Sequence, residues 1–476
     1  MRDCETQMSF WTGRRAPGVG MIRATDFHTY YQLQECSRRL WLDANQPDLA
    51  GEPGEFEELM LRRGQEHERV HLATFPEYVR PVYPHGDLAA GVPDFLIRER
   101  GRYVVRDAKL ALNLDRHPEI PAQMALYARL FKESTRSTVV RAEVVLGNGE
   151  LAPVDIADVD DLTAHLARIK SARKEPDEAV GWTKCNSCSF SDHCWEAAVL
   201  AHDPGVVPGI EQGLRNALVG MGIMRYDDLL GLGAGELAEI AYQQRTRRRQ
   251  VGQPTAERVL TQVRVLLSRK MEIISPPERL PDGPVVYFDI ESNPVEMDLD
   301  PIVYLWGLLI DRGEGSRPEY WGEVSGAGPE ADASAWKTFL KKCRELTKEF
   351  GRVPFVHYSH YEKTWVTEYA RRWGDPQGTA AKVLSLLWDM EKRAVRGHLC
   401  LPVYSYGLKR VEEHAGFRRS QEGFGALWSV ARYNACLEAQ DDAERKDIEQ
   451  ELLTYNREDC VAMRHVLRWI RGLRAS

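Results

Sequence analysis

Two pairs of charged residues, each at the end of an apolar run with strand character, constrain the fold of this chain most. Asp107 and Lys109 end the run YVVRDAK, and Asp289 and Glu291 end the run VVYFDIE. Both runs are rich in β-branched and aromatic residues, which favour strands. Because side chains alternate across a strand, residues two apart point to the same face. Two such pairs, far apart in the chain, predict two separate α/β domains with charge gathered at one point of each sheet.

Length and composition agree with a multidomain globular protein. The chain has 476 residues, of which 43% are hydrophobic and 28% charged, and this length suggests two or three domains. No apolar run is long enough for a transmembrane helix, and the amino terminus lacks a signal-peptide core, so we expect a cytoplasmic protein without membrane contact. The net charge of -8 counts mildly against a nucleic-acid binder, although a local basic surface would suffice.

Changes in residue composition along the chain predict three segments. Residues 1–200 mix helix and strand patterns and end in a group of cysteines. Residues 201–275 carry a helical pattern with glycine punctuation and become strongly basic. A linker rich in proline and glycine follows, and residues 282–476 form a second α/β segment.

The first charged pair belongs to a larger group of candidate catalytic residues. Asp94 lies near the start of a second predicted strand, which a short charged turn joins to the strand of Asp107 and Lys109, as in a hairpin. Two carboxylates can hold a divalent cation that activates water, and a lysine can stabilise developing charge. Upstream, a predicted helix carries His67, which could supply a third ligand.

This group resembles the active site of RecB-like nucleases of the PD-(D/E)XK superfamily. Four motifs in the same order carry the resemblance: Gly64-x-x-His67-Glu68, Gly91-x-x-Asp94, Asp107-x-Lys109 and Gln123-x3-Tyr127. The resemblance implies a set of metal ligands made of three side chains and one carbonyl: His67, Asp94, Asp107 and Ala108. Lys109 would be catalytic with Mg²⁺ or Mn²⁺. Gln123 and Tyr127, which share one helical face, would contact Lys109 or the DNA backbone.

Four of the nine cysteines form a candidate metal-binding set. Cys185, Cys188 and Cys194 lie within ten residues, and Cys36 lies far upstream. Four thiolates suit zinc. One cysteine before the nuclease core and three after it also resembles the iron–sulfur staple of AddB-type and CRISPR-adaptation RecB-like nucleases. That resemblance implies a [4Fe–4S] cluster that pins the two ends of the domain together, with zinc as the alternative.

The middle segment contains two candidate phosphate contacts. The stretch around Gly220 and Gly222 resembles one arm of a helix–hairpin–helix module, whose turn exposes backbone N–H groups to a phosphate. A helical spacer with glycine C-caps is the alternative. Between residues 245 and 270 the chain is strongly basic. The nucleic-acid-binding candidates there are Arg245, Arg247, Arg248 and Arg249, and a solvated helical face is the other interpretation.

The second charged pair also has partners elsewhere in the sequence. Near the carboxyl end, Tyr455 and Asp459 lie four residues apart on a predicted helix and so face one site. Together with Asp289 and Glu291 they resemble the first and third motifs of DnaQ-like, RNase H-fold 3′→5′ exonucleases of the DEDDy type. The resemblance implies two metals held by the carboxylates, with Tyr455 orienting water.

The second motif departs from that pattern. The usual N-x3-F-D appears as His357-x3-Tyr361-Glu362, and glutamate is one methylene longer than aspartate. Glu362 would be the remaining metal ligand of the set. Further on, the sequence from Ser405 to Lys409 resembles an S-L-K element that places Lys409 near phosphate, although it also fits a plain helix N-terminus.

Taken together, the chain resembles RecB-like nucleases that carry a C-terminal RNase H-like exonuclease domain. This resemblance implies a two-centred DNA exonuclease of repair, end processing or defence, working 5′→3′ in the first domain and 3′→5′ in the second. An RNA-processing nuclease is the first alternative, since nothing in the sequence reads a 2′-hydroxyl. A non-catalytic nucleic-acid-binding subunit and an iron–sulfur redox protein are the others.

Overall fold

The chain forms two compact units, described here from a computed structural model. The structure describes residues 20–31, 35–74, 89–99, 102–185, 187–244, 246–294, 301–313, 315–420 and 424–475. The first unit lies within residues 1–53 and 60–197, and the second within 54–59 and 198–476. The second unit thus contains both the basic segment and the second α/β segment expected from the sequence.

The first unit is a small sheet with helices around it. Its strands are β1 (Ile22–Arg23), β2 (Ala89–Ala90), β3 (Phe95–Glu99), β4 (Arg102–Ala108), β5 (Val139–Val145) and β6 (Leu151–Val154). Its helical residues lie in α1 (Ala24–Tyr31), α2 (Ser37–Asn45), α3 (Glu55–Leu72), α4 (Glu119–Thr135), α5 (Asp160–Lys170), α6 (Trp182–Cys185) and α7 (Ser191–Leu200). Residues 55–59 of α3 and 198–200 of α7 are counted with the second unit. A short 3₁₀ helix spans Pro47–Leu49.

The main sheet of the first unit has the order β3-β4-β5-β6. Strands β3 and β4 are antiparallel, β4 and β5 are parallel, and β5 and β6 are antiparallel. The expected hairpin of the first charged pair is therefore confirmed. Its register pairs Phe95 with Arg106, so Asp94, immediately before β3, meets the end of β4 that carries Asp107.

The second unit begins with small helices and a hairpin and continues into a larger sheet. Its strands are β7 (Ala241–Gln244), β8 (Arg247–Gln250), β9 (Glu272–Ile273), β10 (Val285–Ser292), β11 (Val303–Asp311), β12 (Glu319–Val324), β13 (Phe355–His357), β14 (Leu387–Asp389) and β15 (Leu399–Cys400). Its helices are α8 (Gln212–Gly220), α9 (Ala234–Ala238), α10 (Gln253–Ser268), α11 (Pro329–Phe350), α12 (Tyr361–Trp373), α13 (Thr379–Leu386), α14 (Leu408–His414), α15 (Ala426–Glu438) and α16 (Asp442–Ala475). Shorter helical turns span Pro204–Val206, Tyr226–Gly231 and Glu391–Val395.

The five-stranded sheet of the second unit has the order β12-β11-β10-β13-β14. The first three strands are an antiparallel meander, and β13 and β14 run parallel to β10. Parallel neighbours need crossover connections, and α11, α12 and α13 supply them. The strand β10 that carries the second charged pair is the central strand of the sheet.

Two apolar clusters cover the two faces of this sheet. Alternate residues of β10, including Phe288, pack on one face with residues of α11 and α12 such as Trp336. The residues between them, including Tyr287, pack on the other face with Met463 and its neighbours on α16. Because the strand period is two, Asp289 and Glu291 continue the face that α16 covers.

Residues 241–244 and 247–250 differ from the sequence expectation of a helical linker. They form the antiparallel hairpin β7–β8, with Ala241 opposite Gln250. Helix α8 packs against this hairpin through Gly213, where an added Cβ would lie 1.8 Å from the carbonyl oxygen of Gln243. The segment that was expected to be a helical linker therefore contains a hairpin, and tertiary contacts such as this one can override local helix propensity.

In the part of the chain that the structure describes, no helix combines the length and the apolar character that a membrane span requires.

Candidate functional site

Three carboxylates of the second unit converge where β10 meets α16. Asp289 and Glu291 lie on the α16 face of β10, and Asp459 lies on α16 itself. One ligand oxygen from each lies within 4.8 Å of the other two. Among the described residues, this is the one group of three or more potential metal ligands that approach so closely. The structure thus brings together three residues that the sequence predicted as metal ligands.

Like charges crowd this site. Burial raises the pKa of Asp289 well above its usual value, and Asp459 and Glu291 raise it further. Burial and Asp459 likewise raise the pKa of Glu291. Three carboxylates cannot all ionise at this separation without a compensating charge. A divalent cation would supply that charge, and carboxylate oxygens are the ligands that Mg²⁺ and Mn²⁺ prefer.

Asn456 fixes the position of Asp289, and the sequence analysis did not single it out. It is fully buried, donates from Nδ2 to Asp289 Oδ2 at 2.7 Å and accepts a hydrogen bond from the Tyr320 hydroxyl at 2.9 Å. Gly307 lies opposite Asp289 in the sheet, and a Cβ added there would lie 1.6 Å from Asn456 Oδ1. Glycine is therefore needed at 307 so that the amide can reach across β11.

Tyr455 lies beside the carboxylates, as its place one helical turn before Asp459 predicts. The residue is 5% exposed, and its ring packs on Trp428. Burial raises the pKa of the phenol well above 10, and Glu291 and Asp459 raise it further. The hydroxyl therefore keeps its proton at neutral pH and can act as a hydrogen-bond donor.

Two cations lie at the same site. Lys409, at the start of α14, has its ammonium 5.6 Å from the centre of the Tyr455 ring and donates to the Phe424 carbonyl. Burial lowers the pKa of Lys409. Arg419, which the sequence analysis missed, donates from Nη2 to Asp459 Oδ1 at 2.6 Å and to Glu412 Oε2 at 2.9 Å. Arg419 lies in a loop after α14 and so shares no periodic pattern with the other residues.

Glu362, which the sequence predicted as a metal ligand, is not one of the three residues whose ligand atoms lie within 4.8 Å of one another, although it is close enough to raise the pKa of Asp289. It lies at the start of α12, is 3% exposed, and its Oε2 is 3.2 Å from His357 Nδ1. Burial raises the pKa of Glu362, against the lowering effect of His357. The two residues that depart from the usual second motif thus pair with each other.

The first unit holds its two acids in a different way. The Asp94 N–H donates to Asp107 Oδ1 at 3.1 Å, and the Ala108 N–H donates to Asp94 Oδ2 at 2.8 Å. Lys109 Nζ lies 2.7 Å from Asp107 Oδ2. Burial and the neighbouring Asp107 raise the pKa of Asp94 to about 9. Burial opposes the charge on Lys109, but Asp107 and Asp94 raise its pKa above the usual value.

The remaining motif residues of the first unit surround this pair. Gln123 donates to the Tyr127 hydroxyl at 2.9 Å, and a Cβ at Gly91 would lie 2.8 Å from the Tyr127 ring. Burial and then Asp107 raise the pKa of Tyr127 well above 10. His67 Nε2 lies 3.1 Å from the Val145 carbonyl oxygen.

His67 was expected to bind metal, but the described residues show no close three-ligand group that includes it. The same holds for Asp94 and Asp107. Glu68, which follows His67 in the motif, also lies near this pair of acids: burial and then the charge of Asp107 raise its pKa. Glu68 is part of the first sequence motif, but no function was predicted for it.

The four cysteines predicted to bind a metal group line one small cavity: Cys36, Cys185, Cys188 and Cys194. Burial raises the pKa of Cys194 to about 12, and it also raises that of Cys185 and Cys188. A single zinc ion with sulfur at about 2.3 Å needs sulfurs about 3.8 Å apart. Within the described chain, no three of these sulfurs lie within 4.8 Å of one another.

The glycine turn after α8 does not offer its N–H groups to a ligand. The N–H groups of Met221, Gly222 and Ile223 donate to carbonyls of α8 at 3.1 Å or less, which is the C-cap alternative that the sequence left open. The arginines Arg247, Arg248 and Arg249 are exposed on β8. We call these three the β8 arginines. Arg245 lies outside the described residues.

Residues 286–471, less than half of the chain, match the RNase_H superfamily. No curated protein matches the chain. The matched range contains Asp289, Glu291, Tyr455 and Asp459, so the RNase H-like expectation for the C-terminal segment is supported, and with it a nuclease-type function and a nucleic-acid substrate. The match does not extend to the first unit.

Proposed function

We propose that the second unit is a 3′→5′ exonuclease that depends on Mg²⁺ or Mn²⁺ and acts on DNA. The convergence of Asp289, Glu291 and Asp459 to within 4.8 Å carries the proposal, because it lies within the range that matches the RNase_H superfamily. Binding to nucleic acid alone would not need three carboxylates gathered at one point, two of them buried. The raised pKa values of Asp289 and Glu291 support a divalent cation as their partner.

The chain's own residues can position a phosphodiester and a water molecule here. When bound, the cation would polarise the phosphate and lower the pKa of water. Asn456 holds Asp289 in place by its hydrogen bond. The Tyr455 hydroxyl, which is protonated at neutral pH and whose raised pKa keeps it so at higher pH, would donate a hydrogen bond that orients the attacking water. Lys409 contributes positive charge beside Tyr455.

End-labelled single strands test this function directly. The same sequence, as DNA and as RNA, is incubated with Mg²⁺ and with either wild-type protein or Asp289→Asn. We expect loss from the 3′ end of DNA in the wild type and none in the variant. Asp447→Asn is the control, because Asp447 is an exposed acid on the same α16. Faster digestion of RNA would favour the RNA-processing alternative, and binding without digestion would favour a non-catalytic subunit.

For the first unit we propose a second nuclease centre, which starts from 5′ ends. The pairing of Asp107 with Lys109 at 2.7 Å and the approach of Asp94 to the same strand end support it. Asp94 and Asp107 would hold the cation, with Glu68 or His67 completing the ligands. Lys109 would then stabilise the charge that develops on the phosphate.

For the cysteine set we propose a [4Fe–4S] cluster with a structural role. The four thiols surround one cavity, yet their sulfurs are spaced too widely for one zinc ion without movement. Arg38, Arg39 and Lys184 line the same cavity and would balance the negative charge of four thiolates. Iron and acid-labile sulfide in anaerobically purified protein, both lost in Cys188→Ser, test the proposal, and zinc without iron would overturn it.

A further inference from the structure

Arg419 has more hydrogen-bonding capacity at the carboxylate site than its two partners use. Its Nη2 donates to Glu412 and to Asp459, and its Nε donates to Glu412. Nη1 is buried and has no hydrogen-bond partner within the part of the chain that is described. A buried donor without a partner costs free energy, so natural proteins leave one unpaired rarely and for a reason.

A purely structural role does not explain this arrangement. Glu412 is 2% exposed and already pairs with Arg419 through both of its carboxylate oxygens, so it neutralises the guanidinium by itself. The additional hydrogen bond to Asp459 places the guanidinium in contact with one of the three predicted metal ligands. Arg419 is therefore one carboxylate away from the position where a cation would hold the scissile phosphate.

The chemistry of the guanidinium suits that place. Arginine keeps its charge and presents donors in a flat fork that matches phosphate oxygens, which a lysine ammonium does not do. Glu412 anchors the Nε side of the fork. The Nη1 side, with two hydrogens, is left for another acceptor.

We propose that Arg419 is a catalytic residue of the second unit, whose Nη1 donates hydrogen bonds to a non-bridging oxygen of the scissile phosphate. This inference rests on the nuclease function proposed above. Glu412 is the residue that positions Arg419 for this contact. The negative charge on the phosphate oxygens increases towards the transition state, so the contact strengthens there and affects kcat more than KM.

The test measures metal binding and cleavage separately in full-length protein. Mn²⁺ binding is followed by calorimetry, and cleavage of end-labelled single-stranded DNA gives kcat and KM. In Arg419→Ala we expect kcat to fall on the order of a hundredfold, the loss typical of one transition-state hydrogen-bond donor. Mn²⁺ affinity should stay equal or increase, because a neighbouring positive charge has been removed. Arg371→Ala, an exposed arginine paired with Glu368 on α12, is the control and should behave as wild type.

Two further measurements distinguish a direct contact of Arg419 with the phosphate from a role in holding Asp459 in place. Added guanidinium ion should restore part of the kcat of Arg419→Ala, whereas Arg419→Lys should recover less than about a tenth of the wild-type rate because it lacks the fork. The proposal is overturned if Arg419→Ala keeps its kcat within about twofold. It is also overturned if Arg419→Ala loses Mn²⁺ affinity in proportion to its activity, since Arg419 would then only support Asp459.

A failure of the underlying function would look different. In that case Asp459→Asn would bind as many Mn²⁺ ions as the wild type, and neither protein would cut DNA. If Asp459→Asn loses Mn²⁺ while Arg419→Ala cuts normally, the nuclease function stands and the role given to Arg419 is wrong.

Discussion

The carboxylate groups of the two units differ in what neutralises them. In the first unit, each acid accepts a backbone N–H bond from the strand of the other, and Lys109 forms an ion pair with Asp107. In the second, three carboxylates face one another, the pKa values of Asp289 and Glu291 are raised, and Arg419 donates to Asp459. The first group pairs two acids with one lysine, whereas the second gathers three acids beside an arginine that is already paired with Glu412.

This difference indicates how readily each centre would bind a metal ion. The second group already has the spacing of a metal site, so a cation could bind without a large rearrangement. In both centres a cation must displace the protons that the raised carboxyl pKa values imply. In the first it must also share Asp107 with Lys109, and the described residues there show no three ligand atoms within 4.8 Å of one another. We therefore expect the second centre to bind Mn²⁺ more tightly, although the second motif of its sequence departs from the usual pattern.

The largest expected effect is the separation of the two activities by single substitutions. Asp289→Asn should remove digestion from 3′ ends and leave digestion from 5′ ends, and Asp107→Asn should do the reverse. Each loss should be on the order of a thousandfold, since each residue would hold the metal of its centre. Oligonucleotides labelled at either end distinguish the two. Equal loss of both activities in either variant would mean that the units share a single centre.

The next largest effect should come from the close packing of Asn456 against Gly307, beside the carboxylate group of the second unit. Gly307→Ala should displace Asn456 from Asp289, because the new Cβ would lie 1.6 Å from Asn456 Oδ1. We expect about 1–3 kcal/mol of destabilisation from overpacking, and a fall in 3′-end cutting at temperatures where the variant remains folded. Gly235→Ala is the control, because nothing lies within 4 Å of its added Cβ. Wild-type cutting by Gly307→Ala would show that Asn456 does not position Asp289.

A smaller effect should appear in the pH dependence of stability of the first unit. The pKa of Asp94 is raised to about 9, so between the ordinary carboxyl pKa near 4 and that value the folded state holds a proton that the unfolded state releases. Stability therefore falls as pH rises through this window. In urea unfolding without added metal, Asp94→Asn should flatten the decline between pH 6 and pH 8, whereas the exposed Asp161→Asn should not. An unchanged slope in Asp94→Asn would show that Asp94 is ionised.

The smallest effect should come from the β8 arginines. Their replacement by alanine should weaken binding to single-stranded DNA and should reduce the slope of log affinity against log salt by roughly 2, if all three contact phosphates. Alanine at the exposed lysines 337, 341 and 348 of α11 is the matched control. An unchanged salt slope would mean that the hairpin is only a solvated surface.

The sequence predicted those parts of the site that follow a period. Alternation along β10 places Asp289 and Glu291 on one face, and the helical repeat places Tyr455 beside Asp459. Both periods are local properties of the chain. For the same reason the hairpin of β3 and β4 was predicted with its charged turn.

Residues that act through distant neighbours could not be predicted in this way. Asn456 is one position from Tyr455, but its role depends on the absence of a side chain at Gly307. The partner of Arg419 on α16 comes into reach only through the fold. Glu362 was assigned from a motif, and its pairing with His357 is visible only in three dimensions. The β7–β8 hairpin likewise packs on α8 only because Gly213 has no side chain.

The central claim is that Asp289, Glu291 and Asp459 together hold a divalent cation. Crystals of the full chain grown with Mn²⁺ and measured at the manganese absorption edge test it most directly. We predict an anomalous peak bound by oxygens of all three carboxylates at about 2.0–2.2 Å, the range of small divalent ions, and no such peak in Asp459→Asn crystals grown in the same way. A map of the wild type with no anomalous density between these carboxylates would contradict the claim.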